Sequence, residues 1–543
     1  MALEQRAQQI ISYFEDLKNA RSNWENHWQE IADHSLGRRD FTVVREPGRQ
    51  RQQKIYDTTS RDSNNLLAAA LHALLTNPST SWFDLTFENA DLNEDDESTR
   101  WLSTVRDRML AAFRRPESAF TTQMHEVYSD ITGFGTAGMF VADEPGFGPR
   151  FNARPLQELF IDEDSTGRIG VVMRKFKMQA WRAVDQFGAK QVPRAAEQAE
   201  KRPNTEGEYL HIVRRRDLPL PGKINSAGMP WESLYLSFND KDIISEGGFW
   251  ENPYMVARWS KDPGEIFGRG PGIDSLPDQK MLNAIWRTFI RNIEKAVDPP
   301  LLVDDDGVMP GSQLRVTPSA QITVRNDGGS REPVRYLESR AQLNLAPEII
   351  ETRARKIEKA YHSEIIQAFQ DPRMTATQVI ELARLSQRIL SPVLGRMQVE
   401  ILEPMVERVF GVLLRSGKLP DPPEVIQGED IKIEYVSPVA RAQKASEAQA
   451  IIDTFLATAQ MAQADPSVLD NFDLDEAARR IAAGNGIPVQ IIRSKDNVIQ
   501  IRRVQAKLMQ EEKQKEEALK TADVASRLIP AVAGAAGGGG GGG

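Results

Sequence analysis

The sequence predicts an α+β fold. Stretches at both ends carry apolar residues at helical spacing, and the middle, about 151–260, breaks into short β-rich runs. Two further helical segments bracket a small strand-bearing piece. With 543 residues the chain exceeds one ordinary core, so roughly three or four domain-sized units are expected.

In the first 35 residues Phe14, Leu17, Trp24, Trp28 and Ile31 recur at helical intervals, which predicts a helix. Basic, irregular sequence comes next. TSRDSNNLLAAALHALLTN has Thr, Ser and Asp in its opening turn, an apolar stripe and Asn77-Pro78 as a stop, hence a second helix. SWFDLTFEN alternates as a strand does. STRWLSTVRDRMLAAFRR and FTTQMHEVYSDITGFGTAGMFV read as two more helices, the latter broken by Gly133 and Gly135. FNARPLQELFIDED, GRIGVVMRKFKM, GEYLHIVRRRD, ESLYLSFND and MVARWS are strands between Gly, Pro, Asn and Asp turns, with a hairpin turn over 164–167.

LPDQKMLNAIWRTFIRNIEKAV predicts a helix stopped by Asp298-Pro299-Pro300. Strands SQLRVTP, AQITVRN and PVRYLES come after it, and APEIIETRARKIEKAYHSEIIQAFQ opens another helix with Pro347 near its first position. Two long helices thus flank a small knob, as a stalk carries a tip. DPRM interrupts the pattern before a long helix resumes. Val379, Leu382, Leu385, Ile389, Val393, Met397, Ile401 and Met405 mark its buried stripe, and Pro392 and Pro404 should bend it. The C-terminal part is helical again over 440–464, 473–483 and a charged run to about 520, in which VQAKLMQEEKQKEEALK is polar nearly all round. The final AGAAGGGGGGG has no side chains to pack and is expected to be flexible.

Lys and Arg number 68 against 77 Asp and Glu, a net charge of -9. Proteins that grip a nucleic-acid backbone usually carry the opposite excess, so any contact with DNA should be weak. The chain has no cysteine, which removes disulfides, thiolate metal sites and thiol nucleophiles and suits a reducing cytoplasm. No apolar run reaches the length of a membrane span, and the N-terminal helix lacks a signal peptide's apolar core.

EIFGRGPGIDSLP raises the possibility of a phosphate cradle. Gly268, Gly270 and Gly272 give G-x-G-x-G, no Lys-Ser or Lys-Thr succeeds them, and Pro271 removes a backbone donor; a structural turn is expected instead. His27 and His34, beside Glu30 and Asp33, read as solvated or subunit-facing polar residues, since a metal needs converging ligands. Asp304, Asp305 and Asp306 invite a two-metal nuclease reading, yet consecutive side chains diverge and Gly307 is next, which favours a solvated turn. Arg214, Arg215 and Arg216 alternate faces on a strand, so an exposed ladder or salt bridges between subunits are expected rather than a nucleic-acid patch. Trp24, Trp28 and Trp101 lie in helical stripes and read as core. No hydrolase, zinc-protease, P-loop or EF-hand motif occurs, so the chain reads as a non-enzyme without cofactor.

Seven collinear stretches span residues 20 to about 505: RSNWENHWQEIADHSLGRR, WFDLTF, FGTAGMFV, NPYMVARWSKDPGEIFGRGPGIDSLPDQKMLN, MTATQVIEL, LSPVLGRMQVEILEPMVERVF and GNGIPVQIIRS. Together they resemble the portal proteins, or head-to-tail connectors, of short-tailed (podovirus) double-stranded DNA phages. The resemblance implies a ring, usually dodecameric, around a DNA channel. It implies a wing over 1–275, with the β-rich insertion inside it, stem helices over 276–297 and 344–369, and a clip over 298–343. A tunnel loop over 370–374, the wing's long bent helix and following strand over 375–439, crown helices over 440–526 and a tail over 527–543 complete the layout.

On the same resemblance, Gln370, Asp371, Pro372, Arg373 and Met374 would project toward DNA. Gly268, Gly270, Pro271 and Gly272 would turn the chain from wing into stem, where helices of neighbouring subunits leave little room. Asp304, Asp305 and Asp306 would lie at the clip tip, where terminase or tail proteins dock. The implied partners are further copies of the chain, major capsid and scaffolding proteins, the terminase large subunit transiently, tail adaptors, and duplex DNA held weakly and without sequence preference. No membrane is implied. The protein would sit at the unique capsid vertex of the virion after assembly in the host bacterial cytoplasm. The alternatives are another virion ring or tail adaptor, or a metal-dependent nuclease.

Overall fold

The structure, a computed structural model, describes residues 2–36, 55–89, 92, 95–216, 226–299, 301–304, 321–324, 334–336, 346–368, 388–426, 431–435, 438–462, 466–487, 491–493, 497–515 and 519. The chain divides into two compact units, fewer than its length suggests: residues 1–84, 105–420 and 433–439 form one, and 85–104, 421–432 and 440–543 the other.

Helix α1 (Ala2–Ile31) runs into a π-turn, Ala32–Leu36. It buries Phe14, Trp28 and Ile31, the periodic stripe read from the sequence. Buried Arg21 fixes its position by donating to the carbonyls of Leu156 at 3.1 Å, Gln157 at 3.0 Å and Leu159 at 2.5 Å while lying 3.7 Å over the Phe160 ring. In chain order come α2 (Thr59–Leu75), β1 (Phe83–Phe87), α3 (Asp96–Arg114) and α4 (Phe120–Phe134).

The second half of FTTQMHEVYSDITGFGTAGMFV is not helical, contrary to the sequence reading. Gly135 takes φ 80°, its N–H caps Ile131 at 2.9 Å, and the chain leaves as strand β2 (Thr136–Glu144). A left-handed glycine ends a helix rather than merely breaking it, and strand pairing then captures the residues beyond it.

Strand β2 is joined by β3 (Gly148–Arg154), β4 (Leu159–Glu163), β5 (Ile169–Gln179), β6 (Glu206–Arg215), β7 (Trp231–Ser237), β8 (Asp242–Phe249) and β9 (Tyr254–Arg258). They form two antiparallel sheets, ordered β3-β2-β9 and β4-β5-β6-β7-β8. The expected hairpin turn joins β4 to β5: Gly167 has φ 79°, and Asp164 Oδ1 accepts from the N–H groups of Thr166 at 2.8 Å and Arg168 at 3.1 Å. Two short helices between β5 and β6, α5 (Ala180–Phe187) and α6 (Pro193–Lys201), leave no clear signal in the sequence. Gly188 and Pro193 bound them too tightly for helical periodicity to show.

Beyond β9, α7 (Leu276–Val297) leads to β10 (Leu301–Asp304), which pairs in parallel with β11 (Gln321–Val324) and antiparallel with β12 (Val334–Tyr336). Helices α8 (Ala346–Ala360) and α9 (Ser363–Ala368) are next. Arg353 of α8 pairs with Asp278 of α7 at 2.6 Å. The SQLRVTP strand and residues 370–374 lie outside the described residues.

Helical structure over 388–397 passes through a π-turn, Gln398–Leu402, into α10 (Glu403–Arg415). Pro404 has no N–H for the Glu400 carbonyl and its ring crowds that oxygen, so the expected bend takes the form of a widened turn. The buried stripe passes through Leu390, Met397, Ile401 and Met405, whereas Ile389 is exposed. Seven residues, nearly two helical turns, separate Leu390 from Met397 and place Leu390, not its neighbour, on the inner face. Val379, Leu382 and Leu385 lie outside the described residues.

The second unit holds most of α11 (Pro438–Ala462), α12 (Leu474–Gly484) and a helical run over 497–515. Arg502 on that run grips Asp475 with two bonds of 2.6 Å. The apolar side chains of Val504, Leu508 and Met509 on the same run are exposed. Among the described residues no helix is long and apolar enough to cross a membrane.

Candidate functional site

The glycine loop after β9 lies against Gly133 and Gly135. Ser260 and Arg269 bridge in antiparallel fashion, with N–H···O distances of 3.2 and 2.8 Å, and the Gly268 N–H donates to Thr136 Oγ1 at 2.8 Å. A Cβ on Gly268 would stand 2.5 Å from the Gly135 carbonyl oxygen. One on Gly270 would stand 2.8 Å from that of Ile131, and one on Gly272 would overlap that of Gly133. The crowding that requires glycine therefore comes from residues 131–135 of the same chain, whereas the resemblance implies crowding between subunits. Two backbones touch where ordinary residues would hold them apart. Pro271 then opens a short helical turn, Pro271–Asp274, and α7 begins at Leu276.

An ionic frame surrounds the turn. Arg258, at the end of β9, is buried and donates to Glu400 of the π-turn through Nη2 at 2.6 Å, Nε at 3.1 Å and the backbone N–H at 2.8 Å. It also pairs closely with Glu163, which Lys261 holds from its other side at 2.6 Å, and reaches the Ile266 carbonyl at 3.2 Å. Burial disfavours the Arg258 charge, but the bonds to Glu400 and Glu163 outweigh it and raise its pKa.

A second clamp holds the following helix. Glu251 accepts from buried Arg408 at 2.9 Å and from Arg415 at 2.6 and 2.8 Å. Its carboxylate lies against α10 where Gly411 has no side chain; a Cβ there would stand 2.6 Å from Glu251 Cδ. Arg258, Glu400, Glu251, Arg408 and Gly411 carry no mark in the sequence. The partners are more than 140 residues apart, and no local spacing singles them out.

The remaining candidates are accounted for within the chain. Arg214 and Arg216 do not form an exposed ladder: both turn to buried Glu232, at 2.7 and 3.4 Å, and Arg6 joins them there. Strand pairing sets Arg214 directly opposite Glu232, which explains the match. Burial alone would raise the Glu232 carboxyl, but the bond from Arg214 and the surrounding arginine charges hold it below its ordinary value. His34 Nδ1 bonds to the Glu30 carbonyl at 3.0 Å, Lys280 pairs with Glu30 at 2.7 Å, and Gln29 donates to Asp33 at 3.0 Å. Among the described residues no three His, Asp or Glu side chains group as a metal would require. Trp28 and Trp101 are core, and Trp24 is half-buried beneath the Arg269 guanidinium at 5.0 Å. Asp304 ends β10, while Asp305 and Asp306 lie outside the described residues, as do Gln370, Asp371, Pro372, Arg373 and Met374.

Residues 7–492 match the family model described as bacteriophage head to tail connecting protein. A probable portal protein of Bordetella phage BPP-1 is 28% identical over 545 residues, covering 97% of this chain and 96% of its own. The portal protein of Salmonella phage epsilon15 is 27% identical over 519 residues, covering 93% and 92%. Because the family match takes in α1 through α12, with the glycine junction and both ionic clamps inside it, the chain belongs to the family of bacteriophage head to tail connecting proteins.

Proposed function

We propose that this chain is a portal subunit, many copies of which close into a ring at one capsid vertex and conduct the genome during packaging, retention and ejection. The observation that carries the reading is the family match over 7–492, with portal relatives aligned over more than nine-tenths of both chains. The two-helix stalk supports it. The outer part of α7 exposes Ile290, Ile293 and Val297, the last at 80%, and α8 exposes Ile349. Such a stripe is poorly placed on a free subunit and well placed between copies in a closed ring.

The chemistry of conduction is largely avoidance. Duplex DNA carries one negative charge per roughly 1.7 Å of axis, and a bore rich in fixed cations would hold it through counterion release. A chain of net charge -9 suits a wall along which DNA slides. In this reading no step is catalysed by the chain, and a separate terminase supplies the energy of packaging. Residues 298–343 serve as the clip where terminase and later tail proteins dock, with Asp304, Asp305 and Asp306 at its tip. Residues 370–374 serve as the tunnel loop. Replacing 370–374 by a Gly-Ser link should leave rings assembled and reduce packaging or retention; loss of rings would make the segment a packing element.

Axial class averages of the purified particle by electron microscopy test the main claim. A flanged ring with an open centre is expected. A tube or thin collar would favour a tail adaptor, and a monomer would refute both. Incubation with DNA and Mg²⁺ or Mn²⁺ tests the nuclease alternative, which would require turnover that disappears in Asp305→Ala.

A further inference from the structure

Two surfaces of the first unit complement each other, although neither is covered by the chain that bears it. At the tip of the β2–β3 hairpin Phe147 is 61% exposed. It is held rigidly all the same: its N–H bonds to the Glu144 carbonyl at 3.0 Å, and its own carbonyl accepts from Lys418 at 3.1 Å and Arg115 at 3.4 Å. The tip is an aromatic knob with two cations at its base that are bonded to backbone carbonyls and have no carboxylate partner among the described residues.

The complementary surface lies beside α6 and the β7–β8 turn, where a cavity of about 570 Å³ opens to solvent. Its floor includes the buried side chains of Val192, Tyr209 and Ile244. Its rim carries Glu206, Asp240 and Asp242, of which only Asp240 has a cation, Arg194 at 2.7 Å. Two carboxylates are therefore unneutralised among the described residues.

We infer that Phe147 of one copy seats in this cavity on the next, with Arg115 and Lys418 facing Glu206 and Asp242. An exposed aromatic seating on the apolar floor of an otherwise mostly polar cavity, with two charge pairs at its rim, gives a docking contact with an anchor and a register. Because knob and cavity are different surfaces, the contact is head-to-tail, the kind that closes into a ring when its rotation allows. The inference rests on the ring reading above and names the residues that would join one wing to the next.

The absence of native cysteine makes the test direct. Phe147→Cys protein is mixed with Asn239→Cys protein, which carries its thiol in the cavity lining, and oxidised under assembly conditions. A covalent dimer of the two is expected, well above the yield with Trp250→Cys, an exposed position elsewhere. Separately, Arg115→Glu with Lys418→Glu should raise the concentration for half-assembly about tenfold, and adding Glu206→Lys with Asp242→Lys should restore it. If rings form but neither the cross-link nor the charge-swap rescue appears, this contact is wrong and the ring reading stands. If the unmodified chain stays monomeric, both fall.

Discussion

The Glu400 carboxylate accepts the Arg258 side chain at 2.6 Å and the Arg258 backbone N–H at 2.8 Å, so one acid holds both the charge and the main chain at the end of β9. Glu400 stands in the π-turn that Pro404 imposes, which links a helix irregularity to the frame of the glycine junction. Arg258→Leu would leave the half-buried Glu400 without this cation and Glu163 with Lys261 alone, and should destabilise the first unit by about 3–5 kcal/mol. Glu400→Gln still offers an oxygen to the Arg258 N–H and should cost less, about 1–3 kcal/mol. Urea unfolding followed by tryptophan fluorescence checks the order; since both variants keep the bond to the Arg258 N–H, negligible costs in both would mean that the backbone bond, and not the ion pair, anchors the turn.

The glycine junction makes a sharper claim. Gly272→Ala and Gly135→Ala each drive a methyl into backbone that has no rotamer to change, and Gly135 also sits at φ 80°. Losses of about 3 kcal/mol or more are expected. Gly264→Ala is the control, since Gly264 has φ 88° with nothing within 4 Å of a new Cβ, and only the conformational cost of about 1–2 kcal/mol should appear. A Gly272→Ala melting shift no larger than the control's would show that the contact with Gly133 does not select glycine there, since Gly272, unlike Gly135 and Gly264, has no left-handed φ to account for it.

How far the sequence speaks depends on whether a feature is local. The helices α1, α2 and α7 announce themselves by period and caps, and the 164–167 hairpin by its Asp and Gly. Strands β4 to β7 of the larger sheet are likewise visible within β-rich runs, whereas β8, with its polar and glycine-bearing DIISEGGF, is not. The glycine loop is recognisable as a turn, but its partner residues 131–135 read as broken helix, because one chain segment cannot reveal which other segment lies against it. Arg258 with Glu400 and Glu251 with Arg408 are illegible for the same reason. The arginines at 214 and 216 stand out in the sequence, yet their partner Glu232 emerges only from strand register.

Gly411 offers a prediction whose sign reverses with its neighbour. In the intact protein Gly411→Ala must displace the Glu251 carboxylate from Arg408 and Arg415, and should destabilise despite alanine's better helix propensity. With Glu251→Ala already present that obstacle is gone, and the same substitution should stabilise by up to about 1 kcal/mol. A double-mutant cycle by denaturant unfolding reads the reversal; the same sign in both backgrounds would mean that the glycine serves another contact.

His211 predicts a pH dependence. It is buried on β6, stacked 4.0 Å over Tyr235 and bonded to Tyr254 OH at 2.9 Å and Ser233 Oγ at 3.0 Å. Burial, then the charges of Arg174 and Arg154, press its pKa down to about 3. The unfolded chain takes up this proton near pH 6.5 while the folded chain resists it, so stability is unaffected above that value and falls as pH drops toward about 3. At about 1.4 kcal/mol per pH unit the loss should approach 2 kcal/mol by pH 5. His211→Gln should be less stable than the parent at pH 8 but decline less steeply between pH 6.5 and 4.5, so the two curves converge on acidification. Carboxylates such as Glu232, held below their ordinary range, lose their contribution at still lower pH and do so equally in both proteins. Parallel curves across pH 6.5 to 4.5 would show that the imidazole is protonated in the folded state after all.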